Sequence, residues 1–182
     1  MLIDRNESAL IVVDIQERLA PAMHDGGEEA IHNSGVLMQG AARLGIPVLV
    51  SEQYPRGLLH TVPALKELMG NDIPAIEKTE FACPRNASFM EKFQATGRKQ
   101  AIVTGMEAHI CVLQTAMQLI EQDVDVFVVA DAVASRTRAS MDHAFTRIDR
   151  AGGAIVTTEM VIFEWLEKAG TDEFKALQKL IA

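Results

Sequence analysis

Cysteine is scarce in this chain: Cys83 and Cys111 are the only two among 182 residues. They lack the Cys-x-x-Cys spacing of a zinc ribbon or redox dithiol, so a reduced chain is expected rather than a disulfide framework. Long apolar runs are missing too, since none approaches the ~20 residues that a bilayer span requires. Positive charge is in deficit, with 17 Lys and Arg against 25 Asp and Glu and a formal net charge of −8. Binding to a nucleic-acid backbone draws on a concentrated basic surface, so this balance predicts no nucleic-acid partner and leaves small molecules as substrates. The opening Met1–Glu7 has no basic leader ahead of an apolar stretch. No signal peptide, no membrane partner and a cytoplasmic location are therefore expected. No repeat, low-complexity tract or linker divides the sequence, which reads as one domain over residues 1–182. A domain of this size buries roughly 70% of the surface its unfolded chain exposes, enough for a core without staples.

What is present is an alternation of two patterns. Compact apolar runs occur at 9–13, 46–50, around Ile76, and at 101–104, 124–130 and 154–157. Runs rich in β-branched residues, without polar alternation, suit strands buried on both faces of a parallel sheet. Between them lie helical periodicities at 29–44, 62–69, 86–95, 108–121 and 140–151, and a short terminal one at 171–180 that Thr171 can cap. Gly45 and Gly97 fall just past helices, where a C′ glycine relieves a left-handed turn. Strand–helix alternation of this kind predicts a three-layer α/β/α sandwich with right-handed crossovers. Local patterns leave the strand order open.

In open parallel sheets, sites form beyond the carboxyl ends of the strands. Three reactive residues take such places: Asp14 after the first run, Lys78 after the third, and Cys111 after the fourth. Cys111 lies in the segment Gly105-Met-Glu-Ala-His-Ile-Cys-Val112, in the expected first turn of a helix. Unpaired N–H groups and the positive end of the helix dipole there favour a thiolate. Asp14 can take the thiol proton and pass it to a leaving amine, while Lys78 favours the thiolate and orients the carboxylate. Backbone N–H groups around Glu107 and Cys111 can hold the oxyanion of a tetrahedral intermediate. The expected use is acyl or carbamoyl transfer to water. Each residue also has a plainer reading: Asp14 as a turn residue, Lys78 as a solvated surface charge, Cys111 as core. His109, two residues from Cys111, falls on another helical face and is a pocket candidate rather than the base.

The same residues resemble the cysteine-containing branch of the isochorismatase-like hydrolase superfamily, and within it the YcaC-like and isochorismatase-domain-containing group. The resemblance runs through Leu10-Ile-Val-Val-Asp14-Ile-Gln16, Glu52-Gln-Tyr-Pro55, Glu77-Lys-Thr-Glu-Phe81-Ala-Cys83, Val103 to Val112, and Ala130-Asp-Ala-Val-Ala-Ser-Arg136, in that order. It implies a Rossmann-like, six-stranded parallel sheet ordered 3-2-1-4-5-6. It also implies catalytic roles for Asp14, Lys78 and Cys111, and a cis peptide at Met106–Glu107 that turns the Glu107 N–H toward an oxyanion. Homo-oligomers are implied as well, with no cofactor. Nicotinamidases of this fold carry an Asp-x-His metal motif after the second strand. Here that place reads Ser51-Glu52-Gln53-Tyr54, so no pocket metal is expected. True isochorismatases generally lack the nucleophilic cysteine, and Cys111 points away from their vinyl-ether chemistry.

Loop placement and this likeness assign Gln16, Tyr54, Phe81 and His109 to the substrate pocket, with Tyr54 and Phe81 as apolar wall. Glu52 and Gln53 are expected to tie the second-strand loop to a neighbour, and Asp131 and Arg136 to brace a loop as a pair. Two other classes stay open at this level. One is a non-catalytic small-molecule-binding or oligomeric scaffold protein that keeps the pocket; the apolar 160–166 segment then reads either as an interface with Phe163 and Trp165 as anchors or as an amphipathic terminal helix packed on its own subunit. The other is sulfur or redox transfer at Cys111.

Overall fold

The computed structural model describes residues 1–24 and 26–181. The chain runs β1 (Ser8–Val13), a 3-10 turn (Ala20–Ala22), α1 (Gly27–Leu44), β2 (Val48–Gln53), α2 (Pro55–Leu58), α3 (Pro63–Met69) and β3 (Ile76–Lys78). It continues through a 3-10 turn (Cys83–Arg85), α4 (Ala87–Ala95), β4 (Gln100–Met106), a π turn (Ala108–Val112), α5 (Leu113–Ile120), β5 (Asp125–Ala134) and α6 (Arg138–Arg150). Then come β6 (Ala154–Val156), α7 (Thr158–Leu166), α8 (Asp172–Leu177) and a closing 3-10 turn (Gln178–Leu180).

The six strands form one parallel sheet in the order β3-β2-β1-β4-β5-β6. β1 lies at its centre and every residue of it is buried. Its side chains alternate between two cores, which is why the sequence shows an unbroken apolar run. Leu10 and Val12 face the layer of α1, α3, α7 and α8. Ala9, Ile11 and Val13 face the layer that holds the aromatic residues of α4 together with α5 and α6. The expected three-layer sandwich and strand order are present.

Register decides which residues meet. Val13 pairs with Ser51 on one side and Gly105 on the other, and Gln53 pairs with Lys78. The carboxyl ends of β1 to β4 are thus drawn to one rim. Gly105 is the residue this rim demands. It sits at φ 125°, and a Cβ there would meet the Val13 carbonyl oxygen at 2.0 Å. No side chain fits between the two central strands. The pairing of β4 with β5 also shifts register between Val103 and Gly105, and the Met106–Glu107 peptide just beyond is cis.

One expectation needs correction, and one open alternative is decided. The helix expected over 108–121 begins as a π turn, with the Val112 N–H donating to the Glu107 carbonyl at 3.3 Å. Residues 158–166 form a complete helix, α7, capped by the Thr157 hydroxyl, which accepts from the Met160 N–H. Trp165 is wholly buried in its own core, its indole N–H donating to Ser8 Oγ at 3.1 Å, so it anchors the fold and not a partner. Phe163 and Met160 are the exposed members of that segment. Among the described residues no helix is long and apolar enough to cross a membrane.

Candidate active site

Asp14 is the first residue beyond β1, completely buried, with its backbone in the left-handed region at φ 51°. Aspartate tolerates that region better than most side chains. Its N–H donates to the Ser51 carbonyl at 3.1 Å, which continues the β1–β2 ladder by one step. Both carboxylate oxygens are engaged. The Ser51 hydroxyl donates to Oδ1 at 2.7 Å and the Lys78 ammonium to Oδ2 at 2.6 Å.

Lys78 is 3% exposed, an unusual place for a cation unless it is paired. Its Nζ also lies within hydrogen-bond distance of Gln53 Oε1 (2.7 Å) and the carbonyls of Glu80 (3.2 Å) and Phe81 (3.3 Å). Four acceptors for three N–H bonds leave no donor idle. Burial opposes the charge on Lys78. The Asp14 carboxylate, the two neighbouring thiols and the hydrogen bond to Asp14 together outweigh it, and the lysine is held above its ordinary value. The lysine therefore keeps its charge, with Asp14 as its buried partner.

Cys111 is the fourth residue of the π turn and 5% exposed. Burial pushes its thiol well up, the Asp14 carboxylate adds to that, and Lys78 pulls in the opposite direction without prevailing. The pull toward thiolate expected from the helix end and Lys78 is thus opposed by burial and by the Asp14 carboxylate. The helix-end field is weaker than desolvation plus a neighbouring anion. A thiol held toward its neutral form thus lies beside the carboxyl group of Asp14 and the Lys78 ammonium, a set that can move one proton from sulfur to oxygen.

The remaining sequence candidates occupy several places. Tyr54 and Phe81 are each 54% exposed, and a cavity of about 390 Å³ beside Lys78 is lined by Tyr54, Arg56, Glu80 and Asn86. Cys111 does not line that cavity. His109 is half-buried with Nδ1 3.0 Å from Ser135 Oγ. Gln16 is fully buried and its amide is spent on backbone. It donates to the carbonyls of Gln53 (3.1 Å) and Leu59 (2.7 Å) and accepts from the Gln53 N–H (2.7 Å). It braces the rim from behind and presents no free group to a ligand.

Glu107 opens the π turn. Its buried carboxylate is gripped by Arg136, at 2.8 Å from Nη2 and 2.9 Å from Nε. Asp131 instead accepts from the Thr158 N–H and hydroxyl, so the expected Asp131–Arg136 brace is replaced by two separate ties. Glu52 and Gln53 do secure neighbouring loops. Glu52 accepts from the Thr61 N–H and hydroxyl, and Gln53 donates to the Thr79 carbonyl. Burial works against the Glu52 charge, but these donors and His60 hold its carboxyl below the usual range. Among the described residues no three His, Cys, Asp or Glu side chains gather as metal ligands would.

Sequence reading missed Ser51, which sits on both Asp14 and the second cysteine. Cys83 Sγ lies 3.5 Å from Ser51 Oγ, and the Cys83 N–H donates to Thr115 Oγ1 at 3.0 Å. The only available signal was a lone polar residue closing the run Val48-Leu-Val-Ser51, too common to single out.

Comparison with known proteins bears on this geometry. The isochorismatase domain family matches residues 8–160. Isochorismatase domain-containing protein 1 of Danio rerio is 36% identical over 174 residues, which cover 96% of this chain and 60% of that relative's length. The chain thus spans less than two thirds of that curated relative. Among solved structures, MAR1 ribonuclease from Caenorhabditis elegans superposes with a TM-score of 0.93 at 38% identity, over 100% of this chain and 92% of its own. YcaC from Pseudomonas aeruginosa, solved with hexane-2,5-diol and covalent acrylamide, superposes with a TM-score of 0.92 at 27% identity, over 98% and 91%. The exclusion of nucleic acid drawn from net charge is overturned by the first of these structures, a ribonuclease by name. Net charge sums the whole surface and says little about one rim of it.

Proposed function

The chain belongs to the isochorismatase family, and from that premise we propose that it is a cysteine-dependent hydrolase of a small amide, carbamoyl or related acyl compound. The observation that carries the reading is the buried Asp14–Lys78 ion pair acting on the Cys111 thiol at the carboxyl rim of the sheet. The thiol proton passes to Asp14 as sulfur attacks the carbonyl carbon, and the carbonyl oxygen becomes an oxyanion met by the N–H groups of Glu107 and Cys111. Collapse breaks the C–N bond, and the proton held by Asp14 leaves with the amine. Water, giving a proton back to Asp14, then cleaves the thioester and restores the thiol. Lys78 holds the Asp14 carboxylate in place between steps. A covalent acrylamide on the Pseudomonas relative is consistent with an electrophile-accessible nucleophile in this architecture.

The test is rapid-quench intact mass with a panel of small amides and carbamoyl compounds, alongside ammonia release. An acyl adduct that appears on wild type and is absent in Cys111→Ala supports the reading. Turnover that persists in Cys111→Ala rejects it.

A second reading follows from the 38% identity to the Caenorhabditis ribonuclease: hydrolysis of RNA at the same rim. Exposed Tyr54 and Phe81 are suited to stack bases there. Short RNA oligonucleotides belong in the same panel. Cleavage abolished by Asp14→Asn favours this reading, and intact RNA beside active amide turnover discards it.

A further inference from the structure

The Ser51 hydroxyl is buried at the end of β2, on a strand whose neighbouring residues Leu49 and Val50 are apolar and buried. A buried hydroxyl is costly unless paired, and this one has two partners. It donates to Asp14 Oδ1 at 2.7 Å and accepts from Cys83 Sγ at 3.5 Å. A hydroxyl carries one proton, so with the thiol on its acceptor side that proton is committed to the carboxylate. Burial, with the Asp14 charge adding to it, pushes the Cys83 thiol up to about 11, so at neutral pH it stays a donor. Lys78 holds the other carboxylate oxygen at 2.6 Å. Asp14 is therefore gripped from both sides, on a backbone in the left-handed region.

We propose that Ser51, oriented by the Cys83 thiol, is a positioning residue that aims the Asp14 carboxylate so that it can take the Cys111 proton. This rests on the reading of Asp14 and Cys111 given above. The charged and titratable groups that act on Asp14 are Lys78 from β3, Cys111 from the π turn and Cys83 from its 3-10 turn. Reactivity of Cys111 toward an alkylating agent is expected to show a lower limb, set by the acid that takes its proton, and an upper limb, where the thiol itself ionises.

The experiment follows iodoacetamide labelling of Cys111 by mass across pH in wild type, Ser51→Ala, Ser51→Thr, Cys83→Ala and Asp14→Asn, with the melting temperature of each. Loss of a hydrogen bond to a charged group is expected to move the lower limb of Ser51→Ala up by about one to two pH units. The upper limb stays nearly in place. Ser51→Thr, which keeps a hydroxyl, returns the lower limb toward wild type. Cys83→Ala, which frees the hydroxyl to turn away, moves it in the same direction by less. A lower limb unmoved in both Ser51→Ala and Cys83→Ala, whatever their melting temperatures, overturns the proposal. Asp14→Asn separates that failure from failure of the underlying reading. If the lower limb survives without Asp14, the acid was misassigned and the Ser51 proposal falls with it. If the limb vanishes with Asp14 yet ignores Ser51, the Ser51 proposal alone is wrong.

Discussion

The two thiols of this chain feel the same pair of charges and end with different prospects. Cys83 lies in a 3-10 turn behind β2, wholly buried, its N–H bound by Thr115 and its sulfur turned to Ser51. Cys111 lies in the π turn at the mouth of β4, where 5% of its surface still meets solvent. Burial raises both thiols, and for both Asp14 raises while Lys78 lowers. Acidity therefore does not separate nucleophile from bystander. Placement does. Cys111 occupies the π turn beyond β4 and keeps a small exposed fraction, whereas Cys83 is wholly enclosed behind the hydroxyl on Asp14. A thiol need not rest as thiolate to act if a carboxylate beside it stands ready for its proton.

The comparison is broken most severely by exchanging the roles. Cys111→Ala is expected to lower hydrolysis by about 10⁴-fold or more, in keeping with the loss of other covalent nucleophiles. Cys83→Ala should cost roughly tenfold or less, read as kcat on the first substrate the amide panel identifies. Comparable losses in the two variants would mean that position in the π turn does not select the nucleophile.

The charges that act on both thiols give the next effect. With Asp14→Asn, the two-limbed labelling profile of Cys111 should collapse to one limb at lower pH than the wild-type upper limb, because the anion that raises the thiol is gone. Turnover should nonetheless fall by about 10²- to 10⁴-fold for want of the acid–base. Lys78→Met should push the upper limb the other way, to higher pH. Unchanged profiles would show that neither charge acts on the thiol.

Much of this was legible in the chain. Apolar runs located five of the strands and a lone Ile76 the short β3, and Asp14 and Cys111 stood out because each follows such a run, Lys78 because it ends β3. The order of the sheet came from family likeness alone, since crossover choice leaves no local trace. Other features lay beyond sequence for physical reasons. The Asp14–Lys78 contact depends on Gln53 pairing with Lys78 while Ser51 pairs with Val13, a register that only the assembled sheet fixes. A π turn has the composition of an α-helix, so the widening at Ala108–Val112 is invisible to periodicity. The opposing pull on Cys111 was not legible, because a helix-end position is readable from sequence while burial beside an anion is not. Glu107 looked like a contributor of backbone only, and its side chain proves to anchor Arg136.

A smaller effect concerns the loop that shelters the rim. Glu52 is buried and accepts from Thr61 and His60, so Glu52→Gln is expected to cost about 1–3 kcal/mol of stability at neutral pH, measured by denaturant unfolding. Its folded carboxyl is held below its ordinary value of 4.5, so its contribution is present above that pH. The contribution is lost as pH falls through the folded value, and wild type and Glu52→Gln should converge in acid. A gap that persists in acid would place the loss in packing instead.

The most direct measurement is peptide-level mass mapping of acrylamide labelling at both cysteines in the folded protein near neutral pH. The account predicts that Cys111 takes the label about 100-fold faster than Cys83, and that Asp14→Asn alters the rate at Cys111 while Cys83 stays slow. Equal labelling of the two thiols, or faster labelling of Cys83, would contradict it.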